Sequence, residues 1–110
     1  MRLSFVELLV SDWPASVAWY RDVLGLRPIM SDEAGRFALF DAGDARIALK
    51  AGEPHVGGVL LAMEVDDLDG WVARLGERVD GAIRASEEGY RRARLRDPDG
   101  YEIVLFEWGR

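Results

Sequence analysis

Cysteine is absent from the sequence. That excludes disulfides, a thiol nucleophile and any metal site built on thiolates. Histidine occurs once, as His55, inside a stretch rich in glycine and proline, and reads there as a solvated loop residue rather than a ligand. No apolar run approaches the roughly 20 residues that a membrane span needs. No basic segment followed by a long apolar stretch opens the chain, so no signal peptide is expected and the expected location is cytoplasmic. A surplus of positive charge is missing too. Fourteen Lys and Arg face 20 Asp and Glu, a net charge of −6, which argues against a general nucleic-acid binder. Such a balance suits solubility first and a cationic partner second.

What is present suits one soluble domain: 110 residues, 49% of them hydrophobic. Leu3 to Leu26 reads as one strand, one turn and one helix. Phe5, Val6, Leu8, Leu9 and Val10 form an apolar run interrupted only by Glu7, the pattern of a strand buried on both faces. Ser11-Asp12 offers a helix N-cap, and Pro14 falls in the first turn, where its missing N–H costs nothing. Val17, Tyr20, Val23 and Leu24 recur at helical spacing, and Gly25 supplies the stop.

The rest reads as strands around a second helix. Leu26 to Met30 forms a short strand, and Arg36 to Asp41 with Ala45 to Lys50 forms a hairpin. Ala51 to Gly58 is a linker. Val59 to Val65 is a strand, Asp66-Asp67 caps a helix with Leu68, Trp71, Val72 and Leu75 on its buried face, and Gly81 to Arg84 is a short strand. Tyr90 to Arg96 and Tyr101 to Phe106 form the last hairpin, around Asp97-Pro98-Asp99-Gly100. The order is β-α-β-β-β twice. A shift of 55 places Val10, Asp12, Val17 and Ala18 on Val65, Asp67, Val72 and Ala73, and a shift of 56 places Asp41, Ile47 and Leu49 on Asp97, Ile103 and Leu105. The expected class is α+β. Module one covers about 1–52 and module two about 58–110, pairing as a half-barrel with a cleft.

Val10 to Leu26 (VSDWPASVAWYRDVLGL) and Leu95 to Leu105 (LRDPDGYEIVL) resemble the two halves of a vicinal oxygen chelate domain. That superfamily holds glyoxalase I, bleomycin-resistance proteins, extradiol dioxygenases and fosfomycin-resistance thiol transferases. The resemblance covers nearly the whole chain and implies two βαβββ modules and, usually, a homodimer. It also implies metal ligands at matched strand positions. Counting from Asp12, from Asp67 and from Gly100, and through the repeat, those positions fall on Phe5, Leu60, Val104 and Ala48. All four are apolar, and divalent metals need N, O or S donors. The expectation is therefore no metal, no cofactor, and an apolar floor where these four side chains converge.

Alternation carries the cleft face outward to Glu7, Arg46, Glu102 and Phe106. In the family's thiol transferases the residues three and five before the DPDG motif face the active site, which here implies Arg94 and Arg92. Those two arginines are candidates for holding a carboxylate or phosphate, and Glu7, Glu64 and Glu102 for holding the arginines or a cationic ligand. Trp13, Trp19, Trp71 and Trp108 read as core or contact residues rather than a stacking surface. Two functions stay open: a metal-free module that sequesters a drug-like molecule or metabolite, and an enzyme of the same superfamily (lyase, isomerase, dioxygenase or thiol transferase), with Glu7 as general base if buried. The expected partners are a small-molecule ligand and a second copy of the chain, with no nucleic acid and no membrane.

Overall fold

The computed structural model describes residues 1–109. The chain divides between His55 and Val56 into two compact units, inside the stretch that its glycines and prolines mark as a linker. No helix among the described residues is long and apolar enough to cross a membrane.

The first unit contains β1 (Phe5–Val10), α1 (Trp13–Asp22), β2 (Arg27–Asp32), β3 (Phe37–Asp41) and β4 (Arg46–Ala51). Its sheet has the order β1-β4-β3-β2, with β1 parallel to β4 and the other pairs antiparallel. The Asp12 carboxylate caps α1 by accepting from the Ala15 N–H at 3.2 Å. Leu8, Val10, Ala38, Phe40, Ile47 and Leu49 are buried on the face that α1 covers. Tyr20 reaches Phe40 there, ring centres 6.2 Å apart. The Trp13 indole N–H donates to the Leu49 carbonyl at 3.1 Å and ties the first turn of the helix to the central strand. Each such large apolar side chain contributes roughly 1.5–3 kcal/mol on burial.

The second unit repeats the order with β5 (Leu60–Glu64), α2 (Leu68–Leu75), β6 (Arg84–Ala85), β7 (Tyr90–Arg96) and β8 (Glu102–Trp108). The sheet order is β5-β8-β7-β6, with β5 parallel to β8. Asp67 caps α2 through the Gly70 N–H at 3.0 Å, as Asp12 does for α1. The Glu107 carboxylate on β8 accepts from the Leu68 N–H at 3.1 Å. Arg91 on β7 forks onto Asp69 of α2, 3.0 Å at the closer contact. These bonds put the odd-numbered residues of β7 and β8 under the helix. Ala93, Leu95, Ile103 and Leu105 are buried there.

Three expectations need correction. β1 is not buried on both faces: Phe5 is 43% exposed and Glu7 is exposed, because a helix covers one side of the strand only. In α1 the buried positions are Trp13, Ser16 and Tyr20, with Leu24 buried just beyond, while Val17 and Val23 are half-buried. The stripe begins a turn earlier because Trp13 plugs into β4. Several strands also shift at their ends: β2 runs to Asp32, β6 is Arg84–Ala85 rather than Gly81 to Arg84, and β8 runs on to Trp108.

Candidate functional site

Each sheet has a second face, turned away from its own helix, and the strand residues singled out as cleft candidates lie on one or other of these two faces. In the first sheet, register places Phe5 opposite Arg46 and Glu7 opposite Ala48, with Leu39 on the other side of Ala48. Ala48 is fully buried between longer neighbours. Asp41, across from Arg46, accepts instead from Arg27 at 2.9 Å. The Gly43 N–H and the Arg27 guanidinium together hold the Asp41 carboxyl below the usual range. Glu7 has no ion-pair partner among the described residues. It is exposed, so the burial on which its role as general base depends is absent.

In the second sheet the pairs are Leu60 with Glu102, Ala62 with Val104, Arg94 with Val104, Arg92 with Phe106, and Tyr90 with Trp108. Leu60, Arg92, Arg94, Glu102, Val104 and Phe106 therefore share one face, the face the sequence assigned them. Val104 is buried and Leu60 is 49% exposed. Arg94 is joined to Glu102 at 3.3 Å. Arg92 has no carboxylate within ion-pair distance among the described residues. Glu88 feels its charge, but that carboxylate is already engaged by the Ser86 hydroxyl, the main cause of its lowered pKa.

Two residues of this face were missed by sequence reasoning. Tyr90, Phe106 and Trp108 meet edge to face, with ring centres 5.7 Å (Tyr90–Phe106), 5.4 Å (Tyr90–Trp108) and 6.1 Å (Phe106–Trp108) apart. They wall a depression of about 280 Å³ that Leu60, Ala62, Val104 and Arg92 complete. Trp108 is 46% exposed in it and so is not a core residue. Carrying the alternation two residues past Phe106 and two residues back from Arg92 would have found both rings.

The positions that the resemblance marks for metal ligands are Phe5, Ala48, Leu60 and Val104, and their side chains carry no donor atom. Among the described residues no group of three or more His, Cys, Asp and Glu could hold an ion. The residues at these positions do not fit the metal of the family's enzymes. His55 lies exposed between β4 and β5.

Over nearly its whole length the chain is similar to known proteins. A curated relative, the uncharacterised protein YraH of Bacillus subtilis, is 28% identical over 97% of this chain and 98% of its own length. The lactoylglutathione lyase of Agrobacterium tumefaciens superposes with a TM-score of 0.79 at 22% identity, covering 96% of this chain and 92% of that one. TioX of Micromonospora sp. ML1 superposes with a TM-score of 0.76 at 23% identity, covering 100% and 98%. At these identities the superpositions establish the fold. A family model matches residues 2–105, nearly the whole chain, and the protein therefore belongs to the Glyoxalase/Bleomycin resistance protein/Dioxygenase superfamily.

Proposed function

We propose that this protein is a binding module for a small organic molecule with a flat apolar body, seated on the helix-free face of the second sheet without a resident metal. The observation that carries the reading is the aromatic wall. Tyr90, Phe106 and Trp108 fix one another's orientation, and Trp108 keeps 46% of its surface exposed beside the apolar floor of Leu60, Ala62 and Val104. Apolar surface left open in a concavity gains roughly 25 cal/mol for each Å² a ligand covers, and rings already held in place lose little entropy on binding. The metal-dependent form of the enzymatic alternative draws no support from the donor set, since the positions that would carry the ligands are Phe5, Ala48, Leu60 and Val104.

Tryptophan fluorescence titrated with a panel of flat aromatic compounds tests the reading. Quenching is expected, and Trp108→Phe removes most of it, while calorimetry on that variant shows weakened binding. No binding across the panel overturns the proposal, and so does a stoichiometric Zn, Ni, Mn or Fe in protein purified without chelator. Self-association belongs to the same reading. Ile29 and Met30 are large apolar side chains left exposed on the edge strand β2, and an unpaired sheet edge is a template for a partner. Light scattering at micromolar concentration is expected to give a dimer.

A further inference from the structure

Beside the aromatic depression lies a second one, of about 250 Å³, lined by Asp80, Gly81, Ala82, Arg84, Arg92 and Arg94. The pairing around it is uneven. Arg91 is held by Asp69 and Glu107, Arg94 by Glu102, and Arg96 lies 4.0 Å from Asp80. Arg84 and Arg92 have no carboxylate within ion-pair distance among the described residues. These two are also cross-strand partners, directly opposite each other in the β6–β7 pair. Opposed side chains of an antiparallel pair leave the same face with Cβ atoms about 4.5–5.5 Å apart, and like charges so placed destabilise the sheet. The chain thus sets two arginines opposite each other in the wall of a concavity with no carboxylate in ion-pair contact among the described residues, although acidic residues outnumber basic ones in the sequence. Glu88, whose carboxylate Ser86 engages, is near enough only to feel the charge of Arg92.

We infer that Arg84 and Arg92 form a subsite for an oxyanion, a carboxylate or phosphate, carried by the same ligand whose apolar body lies against Tyr90, Phe106 and Trp108. Arg92 lines both depressions and joins them. An oxyanion between the two groups replaces their repulsion with charge-assisted hydrogen bonds, which guanidinium forks make in bidentate fashion. Arg94 is the lesser contributor because Glu102 already holds it. Asp80 lines the same depression, 4.0 Å from Arg96, and disfavours a head group large enough to spread beyond the pair. The inference rests on the proposed binding of an apolar body on this face and adds the charge and place of the ligand's polar end.

Three probes of one shape separate the two claims: 2-naphthoate, 2-naphthyl phosphate and the neutral 2-naphthamide, titrated by calorimetry. At least one anion is expected to bind about tenfold or more tightly than the amide, the scale of one charge-assisted hydrogen bond. Which anion binds tighter identifies the head. Arg84→Ala, on an exposed two-residue edge strand, is expected to abolish that advantage while leaving the amide's affinity unchanged. The same variant, without ligand, is expected to melt no lower than the parent, because it removes the opposed charge. Equal binding of amide and anions, or Arg84→Ala leaving the anion advantage intact, overturns the subsite and leaves the apolar site standing. Binding of none of the three overturns both.

Discussion

At the scale of single residues, Asp97 shows how one short side chain sets the geometry of this region. It is buried, and its Oδ1 accepts from the backbone N–H groups of Asp99, Gly100 and Tyr101, each at 2.9 Å. Gly100 takes φ 98°, which a side chain rarely tolerates. The turn fixes where β8 begins and so the register that puts Arg94 opposite Val104 and Arg92 opposite Phe106. Asp97→Ala leaves three donors to find other partners and is expected to cost about 2–3 kcal/mol. Asp97→Asn keeps an acceptor and is expected to cost less. Urea unfolding, with an unchanged slope and a lowered midpoint, checks both.

At the scale of elements, α2 is attached to its sheet partly by charge. The Arg91 hydrogen bonds hold the Asp69 carboxyl below the usual aspartate value of 3.8. A carboxylate depressed in the folded state adds stability that is complete above its unfolded pKa and lost as pH falls through the folded one. Asp69→Asn is therefore expected to be less stable than the parent at neutral pH, with the two curves converging as pH drops below that value. A constant gap down to the acid limit would mean that the bond to Arg91 contributes nothing through charge. Legibility follows the same elements. The helix caps, both βαβββ modules and the shared face of Arg92 and Arg94 were readable, because alternation and Asx caps are local signals. The one-sided exposure of β1 was not, since five apolar residues in six read alike whether a strand is covered once or twice. Trp108 was left out of the site because the last strand was read only as far as Phe106, and Tyr90 because its strand was read for its arginines.

On the scale of the whole molecule, two opposing fields meet at the candidate site. The net charge of −6 repels an anion from any distance, while Arg84 and Arg92 attract it at contact. Screening separates them, because the Debye length is about 30 Å at 0.01 M salt, about 10 Å at 0.1 M and about 3 Å at 1 M. Raising salt over the lower decade mainly removes the long-range repulsion, which offsets the first weakening of the contact attraction. Over the upper decade only the contact term is left to lose. The affinity for 2-naphthoate is therefore expected to stay within about twofold from about 0.01 to about 0.1 M sodium chloride and to fall several-fold by about 1 M. The neutral amide has no such contact to lose and is expected to hold its affinity throughout. Calorimetric titrations at those three salt concentrations decide the matter. An anion that binds steadily tighter as salt rises would show that repulsion dominates at every distance, and that the two arginines do not hold its head.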